Sequence, residues 1–307
     1  MDMTGLVVKS TGSWYRVRLA TGGEVEARLR GKFKLEGKKI TNPIAVGDQV
    51  VLEQFQDEYI ISSIADRSNY IIRQSPRKKH HDHLLAANVD QAIMIATLKM
   101  PRTSLGFIDR FLVTLETFRI PGIIVFNKMD LLSEEEKDDA GYLSFLYEQK
   151  IGYKCLQTAF LEEGVPEELS ELLQGKKTLL SGHSGAGKST LINMLIPDAE
   201  QKVTEISSFA NKGVHTTTFA EMFFLDEASA IIDTPGIKEL GLAEIDPEEL
   251  AHYFPEMRDY LGECKFHNCI HTNEPGCKVK EALEEGKISS ERYYSYLSML
   301  DDEDNRR

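Results

Sequence analysis

The chain has 307 residues, 41% of them hydrophobic, which suffices for two or three domains with buried cores and argues against wholesale disorder. No apolar run reaches the length of a membrane span and the N-terminus lacks a signal-peptide pattern, so we expect a cytoplasmic protein. The net charge of −13 argues against indiscriminate nucleic-acid binding, although residues 1–83 carry 14 Lys/Arg against 10 Asp/Glu.

Residues 4–65 contain short β-type runs separated by turn residues such as TGG and NP. Short strands at this spacing predict a small antiparallel barrel or sandwich. About five strands in a segment of this length fit an OB-type β-barrel over residues 1–65, although an SH3-like barrel would give a similar pattern.

Residues 66–88 read as a basic linker. Its basic side chains include Arg73, Arg77, Lys78 and Lys79. Two interpretations remain open: a solvated linker, or a mobile basic segment that contacts RNA phosphates.

Alternating apolar strands and amphipathic helices follow over residues 89–239. This alternation predicts an α/β domain with a mostly parallel sheet covered by helices on both faces. The last segment, residues 240–307, is acidic and helical in pattern and is interrupted by three cysteines. The predicted fold is therefore multidomain: barrel, α/β domain and a C-terminal helical domain.

A phosphate-binding P-loop matches the pattern G-x-x-x-x-G-K-[ST] between a predicted strand and a predicted helix. Its residues are Gly182, His183, Ser184, Gly185, Ala186, Gly187, Lys188 and Ser189, followed by Thr190 in the helix. Backbone N–H groups of such a loop turn toward phosphate, and the helix N-terminus adds positive potential. Lys188 would reach the β- and γ-phosphates, and the Ser189 hydroxyl would bind Mg²⁺.

Two further elements fit the γ-phosphate side of a nucleotide site. Asp233 and Gly236 form a D-x-x-G loop after an apolar strand, in which the Asp serves Mg²⁺ and the Gly N–H meets the γ-phosphate. The Thr-rich segment 212–218 lies between this loop and the P-loop, where Thr217 could close on Mg²⁺ as a switch. Alternatively, the segment is only a threonine-rich lead into the next strand.

The P-loop alone does not choose between ATP and GTP, but an N-K-x-D tetrad indicates guanine. The Asp130 carboxylate can accept two hydrogen bonds from guanine N1–H and the exocyclic amine, which adenine cannot donate. Asn127 would tie loops together and bond the base, and Lys128 would lie against the ring. Thr158 and Ala159 end the next strand, where a backbone N–H could meet guanine O6.

These motifs run in the order base loop, small-residue loop, P-loop, switch and D-x-x-G, which is a circular permutation of the usual GTPase order. Together with the predicted barrel and the cysteine cluster, the ordered set resembles the small ribosomal subunit biogenesis GTPases of the RsgA/YjeQ family. The resemblance covers essentially the whole chain.

The resemblance implies a cytoplasmic, monomeric GTP hydrolase that binds the small (30S) ribosomal subunit and its rRNA late in assembly, with hydrolysis stimulated by the subunit. Two alternatives stay open: a nucleotide-gated RNA-binding module whose hydrolysis is incidental, and a permuted GTPase acting on the large subunit. The barrel would bind rRNA, and its candidate contacts, or else ordinary strand residues, are Trp14, Tyr15, Arg16 and Arg18.

Hydrolysis needs a group that orients the attacking water. Many GTPases place a Gln just after D-x-x-G, whereas here Ile237 stands at that position and cannot bond water. We therefore expect slow intrinsic turnover and assign water positioning to His215 in the switch, the alternative being a structural histidine.

The cysteine cluster has the composition of a structural zinc site, with one Zn²⁺ per chain. Its ligands would be Cys264, Cys269, His271 and Cys277, three thiolates and one imidazole in a short loop. His267 is a competing ligand, but it fits the family's C-x4-C-x-H pattern less well. The alternative is three free cysteines in a reducing cytosol, and Cys155 is expected in the core.

Overall fold

The computed structural model describes residues 3–29, 43–74, 82–196, 220–234 and 245–301. Some residues with predicted roles lie outside these ranges. These residues are His215 and Thr217 of the switch, Gly236 of the D-x-x-G loop, and the basic residues 77–79 of the linker.

The N-terminal segment forms a closed five-stranded barrel. Its strands are β1 (Met3–Ser10), β2 (Tyr15–Leu19), β3 (Glu24–Leu29), β4 (Gln49–Phe55) and β5 (Glu58–Ile64). The order is β1-β2-β3-β5-β4 with β4 pairing back to β1; β3 and β5 run parallel and the other pairs antiparallel. Alternate residues such as Val17 and Ile61 point inward and are fully buried. The predicted five-stranded barrel is confirmed.

Two strands lie within the segment that we expected to be a linker. β6 (Tyr70–Gln74) and β7 (Asp82–Ala87) pair antiparallel, and they bury Ile71 and Ala86 completely. The basic residues between the two strands, rather than the short apolar runs YII and LLAA, were the basis of the linker prediction, so the hairpin was not predicted.

The central sheet is mostly parallel, as predicted. Its strands are β8 (Gln91–Ala96), β9 (Gly122–Asn127), β10 (Lys154–Thr158), β11 (Lys177–Gly182), β12 (Glu221–Phe224) and β13 (Ala230–Asp233). The order is β10-β9-β8-β11-β13-β12, and only β12 at the end runs antiparallel to its neighbour. All six residues of β8 are buried, as expected for a strand covered on both faces.

Helices cover both faces of this sheet. They are α1 (Leu105–Phe118), α2 (Glu134–Phe145), α3 (Phe160–Glu163), α4 (Glu167–Leu173) and α5 (Lys188–Leu195). Met129–Leu131 forms a 3₁₀ turn, and α2 continues as a π-helical turn over Leu146–Ile151. The helix starts are encoded locally, because Ser104 caps α1 and Ser133 forms a capping box with Glu136 on α2.

The C-terminal region is helical and packs on α1. It contains the 3₁₀ segments Leu250–Tyr253 and Pro255–Tyr260 and the helices α6 (Lys278–Glu284) and α7 (Ser290–Leu300). Val113 of α1 joins the apolar core of this region beside Phe254 and Tyr296. Among the described residues, none of the helices combines the length and apolar character needed to cross a bilayer.

A buried ionic cluster reinforces this contact. Arg292 of α7 donates to Asp109 of α1 at 2.6 Å and to Glu256 at 2.6 Å. Tyr147 donates to the same Asp109 oxygen at 2.8 Å, and the Arg292 guanidinium lies 4.6 Å from the Phe254 ring centre. Asp109 and Val113 are one helical turn apart, so they share the face of α1 that turns away from the sheet.

The barrel joins the central sheet edge to edge. Lys9 of β1 pairs with Glu221 of β12 in antiparallel register, so the barrel and the central strands form one continuous sheet. This pairing contacts the outer edge of β12 at Glu221, where backbone groups would otherwise lack a strand partner. The domain boundaries predicted at residues 65, 88 and 239 stay predictions.

Candidate nucleotide and zinc sites

The predicted nucleotide motifs meet at one edge of the central sheet. Parallel strands end at the same edge, and Asn127, Thr158, Gly182 and Asp233 are the last residues of β9, β10, β11 and β13. Asn127 and Thr158 are directly paired across their strands. This is the edge at which α/β sheets bind ligands.

Asn127 connects three of these loops. Its side-chain NH₂ donates to the carbonyl of Ala186 in the P-loop at 2.9 Å. Its side-chain oxygen accepts from the Thr158 hydroxyl at 3.0 Å and from the Phe160 backbone N–H at 3.2 Å. The side chain is buried, so each lost bond would leave an unpaired polar group inside the protein. The base loop, the small-residue loop and the P-loop are thus held in one arrangement despite their permuted order.

Two P-loop glycines are required by close approach. Gly182 has φ +139°, and an added Cβ would lie 2.3 Å from the carbonyl oxygen of Ile95 on β8. Gly187 has φ +119°, and its Cβ would lie 2.3 Å from the Asn127 amide nitrogen. No side chain fits at either point, so the backbone can turn its N–H groups toward a ligand.

Lys188 begins α5, with Ser189 and Thr190 in the first turn. Its ammonium donates to the carbonyls of Gly182 at 2.6 Å and His183 at 2.9 Å. The lysine therefore bends over the loop that would hold the phosphates. Ser184, Gly185 and Ser189 are exposed at its mouth, whereas Ala186 is buried beneath.

The base loop presents its acidic residue to solvent. Lys128 adopts a left-handed backbone conformation (φ +67°), which turns the chain sharply after β9. Its ammonium donates to the Met100 carbonyl at 2.8 Å. Asp130 follows in the exposed 3₁₀ turn, and buried Ala159 leads from β10 into α3.

The loop between β8 and α1 is a part of this site that the sequence analysis missed. It supplies the Met100 carbonyl to Lys128, and Pro101 lies 3.6 Å from where a Cβ of Gly185 would be. Phe107, in the first turn of α1, stacks on the P-loop His183 with ring centres 4.3 Å apart. The available signal was positional, because β8 also ends at the ligand-binding edge.

Asp233 provides a carboxylate that fits a magnesium ion. Its Oδ1 atom is buried and has no hydrogen-bond partner among the described residues. Burial raises the pKa of Asp233; Lys188 opposes this rise in pKa and Glu221, on the neighbouring strand, adds to it. An unpartnered buried oxygen beside a P-loop lysine and the first turn of α5 suits a hard cation with oxygen ligands.

The four predicted zinc ligands form one cluster. The ligand atoms of Cys264, Cys269, His271 and Cys277 all lie within 4.8 Å of one another. The Cys264 and Cys277 sulfurs are 4.0 Å apart, and His271 Nδ1 lies 3.6 Å and 3.4 Å from them. Zn–S bonds of about 2.3 Å in a tetrahedron separate two sulfurs by about 3.8 Å. The donor set and its spacing therefore fit zinc, whereas His267 is exposed and outside the cluster.

The surrounding residues hold this loop in shape. Glu274 accepts from the backbone N–H groups of Ile270 and Thr272 at 2.8 Å each. On α7, the Tyr293 hydroxyl donates to the His271 carbonyl at 2.6 Å, and the Tyr296 hydroxyl donates to the Ile270 carbonyl at 2.8 Å. Burial lowers the pKa of His271, which favours the neutral imidazole that a metal requires. Cys155 is buried in β10, as expected.

The four proposed RNA contacts of the barrel lie in three different environments. Trp14 is 45% exposed in the turn between β1 and β2. Tyr15 lies in the barrel core, so its assignment as a contact is wrong. Arg16 forms ion pairs with Glu24 and Glu221, and Arg18 lies over the Phe224 ring at 4.1 Å; both arginines are therefore engaged within the molecule.

Comparisons with known proteins find similarity along nearly the whole chain. A family model described as RsgA GTPase matches residues 64–243, and one described as RsgA N-terminal domain matches residues 4–59. A Cytophaga hutchinsonii protein named small ribosomal subunit biogenesis GTPase RsgA is 53% identical, covering 99% of this chain and 100% of its own length.

Two solved structures are similar over the full chain. YjeQ from Thermotoga maritima is 35% identical with a TM-score of 0.76, and 100% of both chains is covered. YloQ, described as a circularly permuted GTPase, is 28% identical with a TM-score of 0.72, covering 100% of this chain and 96% of its own. With the permuted loops assembled at one sheet edge, the chain belongs to the RsgA GTPase family.

Proposed function

We propose that this protein binds and hydrolyses GTP at the edge formed by β9, β10, β11 and β13, and that it acts in late assembly of the small ribosomal subunit. The observation that carries the nucleotide part is the set of Asn127 hydrogen bonds, which join base loop, small-residue loop and P-loop. The ribosomal part is supported by family membership and by the name of the C. hutchinsonii relative, small ribosomal subunit biogenesis GTPase RsgA.

We assign the residue roles from the motifs, and the positions of the loops support them. Asp130 accepts from guanine, Lys128 lies against the base, and the backbone at Ala159 meets guanine O6. The P-loop amides and the α5 N-terminus hold the phosphates. Lys188 exchanges its bonds to the Gly182 and His183 carbonyls for bonds to phosphate oxygens, which costs little because the ammonium stays hydrogen-bonded throughout.

Magnesium would be held by Ser189, Thr217 and Asp233, and Gly236 N–H would contact the γ-phosphate. When bound, the ion would supply positive charge to the β- and γ-phosphates. Asp233 supports this assignment through its unpartnered buried oxygen, while Thr217 and Gly236 rest on the motif alone. His215 would position the attacking water, since Ile237 cannot. If His215→Ala hydrolysed GTP on the small subunit at the wild-type rate, this role would be wrong.

Guanine selection is tested by Asp130→Asn. Replacing the carboxylate by an amide removes one acceptor oxygen and sets a donor against the donors of guanine. We expect the affinity for guanine nucleotides, GDP as well as GTP, to fall about a hundredfold or more, because two charge-assisted hydrogen bonds to the base are weakened. Equilibrium binding of a fluorescent GDP measures the change, and Asp138→Asn, an exposed acid on α2, is the matched control. Unchanged affinity in Asp130→Asn would contradict the assignment.

The partner is tested by co-sedimentation with isolated small and large subunits, in GDP and in a non-hydrolysable GTP analogue. We expect nucleotide-dependent binding to the small subunit by a monomeric protein, through the barrel and the zinc-binding region. Trp14 remains the exposed barrel candidate. Binding to the large subunit instead would support the alternative permuted GTPase.

A second measurement separates an enzyme from an RNA-binding module with incidental hydrolysis. Single-turnover GTPase rates are compared with and without small subunits. Stimulation by the subunit is expected for the proposed function, and equal rates would favour the binding module.

A further inference from the structure

A row of charged residues runs from the barrel into the nucleotide site. Lys9 on β1 is the register partner of Glu221 on β12, and Glu221 is the register partner of Asp233 on β13. Residues directly opposite in antiparallel strands project from the same face, with Cβ atoms about 4.5–5.5 Å apart. The three side chains therefore stand side by side on one face of the sheet.

The barrel holds both oxygens of the central carboxylate. Lys9 Nζ lies 2.8 Å from Glu221 Oε2, and Arg16 Nη1 lies 3.6 Å from Glu221 Oε1. The Glu221 side chain is only 9% exposed, while Lys9 and Arg16 are 29% and 35% exposed. Because Glu221 is mostly buried, solvent screens its negative charge only weakly, and this charge contributes to the electrostatic potential at the adjacent side chains.

The neighbour on the other side is Asp233. Two carboxylates opposite each other on one sheet face repel unless cations are near. Two sources of positive charge are available to this acidic pair: the barrel side chains at Glu221, and a metal ion at Asp233. These two sources compete, because the barrel cations reduce the negative potential that would attract a metal ion.

We propose that Glu221 is a positioning residue that strengthens Mg²⁺ binding at Asp233, and that Lys9 weakens this binding by neutralising Glu221. The inference rests on the proposed role of Asp233. By this route the barrel acts on the metal side of the nucleotide site without touching the nucleotide. Arg16 acts in the same sense from a greater distance.

The test measures Mg²⁺ dependence of fluorescent GDP binding by the full chain, in the wild type, Glu221→Gln, Lys9→Met and the double variant. Glu221→Gln should raise the Mg²⁺ midpoint about tenfold, because it removes a weakly screened negative charge beside the metal ligand Asp233. Lys9→Met should lower the Mg²⁺ midpoint several-fold, because the lysine then no longer offsets the negative charge of Glu221. In the Glu221→Gln background, Lys9→Met should have no effect.

A purely structural role gives a different pattern. Both single variants break the same ion pair, so loss of strand pairing would shift both midpoints in the same direction. Three results would each overturn the proposal. They are shifts of both midpoints in the same direction, an unchanged midpoint in Glu221→Gln, and an effect of Lys9→Met that persists in the double variant. Thermal unfolding verifies that each variant is folded.

Two controls separate this inference from the proposed function. Glu58→Gln removes a carboxylate from another barrel ion pair, with Arg28, and should leave the midpoint unchanged. Asp233→Asn should raise the midpoint more than Glu221→Gln. If Asp233→Asn left it unchanged, the proposed role of Asp233 would fail and the inference with it; a shift in Asp233→Asn alone would overturn only the inference.

Discussion

The barrel and the C-terminal region contact the central α/β domain, at strand β12 and helix α1 respectively, through very different ion pairs. On the C-terminal side, Arg292 is 1% exposed and its partners Asp109 and Glu256 are 0% and 5% exposed. On the barrel side, Lys9 and Arg16 are about a third exposed, and only their partner Glu221 is buried. One contact is closed to water, and the other is open on its cationic half.

This difference separates a fixed support from an adjustable contact. Removing one member of a buried ion pair leaves an uncompensated charge and costs about 3–5 kcal/mol. Exposed pairs contribute about 0–1 kcal/mol and weaken with salt. The C-terminal region should therefore stay fixed on α1, whereas small changes in charge can alter the barrel contact.

The largest effect is expected from loss of zinc. His271→Ala removes one ligand from a site that we expect to hold one Zn²⁺ per chain, and structural zinc contributes on the order of 10 kcal/mol to small metal-dependent folds. Because Tyr293 and Tyr296 tie this loop to α7, amide protection over α7 should fall. Metal analysis and hydrogen exchange measure both consequences.

His267→Ala is the matched control, since this histidine is exposed and lies outside the ligand cluster. It should retain a full equivalent of zinc and wild-type protection of α7. Zinc loss in His267→Ala, or full zinc content in His271→Ala, would contradict the ligand assignment.

The buried ion cluster comes next. Arg292→Met keeps much of the apolar stem but leaves Asp109 and Glu256 buried and unpaired, so the C-terminal region should lose about 3–5 kcal/mol of stability. Arg258→Met is the control at the same interface, because Arg258 pairs with Glu116 of α1 at the surface and should cost less than about 1 kcal/mol. Hydrogen exchange of α7 under mild denaturant compares the stability losses of the two variants. Equal losses would show that the buried and the surface ion pairs contribute equally to the attachment of the C-terminal region.

Local patterns predicted the elements and the permuted site. The barrel strands alternate inward and outward residues, and the strands of the central sheet are short apolar runs, so both could be recognised from the sequence. The P-loop and N-K-x-D tetrad could be placed because parallel strands end at one edge. The four zinc ligands are close together in the chain, so this cluster could also be predicted from the sequence.

Long-range pairings could not be predicted in this way. Arg292 and Asp109 are 183 residues apart, and Lys9 and Glu221 are 212 apart. Nothing in the local sequence around either residue identifies its partner, because these contacts exist only after the three regions have packed together. The hairpin β6–β7 pairs locally, but Ile71 and Ala86 are buried in one cluster with residues distant in the chain, such as Val8 and Phe111, so its short apolar runs did not stand out beside the basic residues.

A smaller effect is expected from Tyr296→Phe. The change deletes only the hydroxyl that donates to the Ile270 carbonyl at 2.8 Å and leaves the ring packed on Phe254. The expected cost to the C-terminal region is about 1 kcal/mol, the usual net contribution of one hydrogen bond. Zinc content should stay at one equivalent. A loss as large as in Arg292→Met would show that the tyrosine hydroxyl, rather than the ion cluster, controls the attachment of α7.

The smallest effect on stability is expected at the barrel contact. Lys9→Met removes a partly exposed cation from Glu221, so the barrel should lose about 0–1 kcal/mol, and less at high salt. The only tryptophan, Trp14, lies in the barrel, so its fluorescence during urea unfolding reports on this region. Lys9→Met should thus shift the Mg²⁺ midpoint while hardly changing the unfolding midpoint. A loss comparable to Arg292→Met would instead make the barrel contact a fixed support like the C-terminal one.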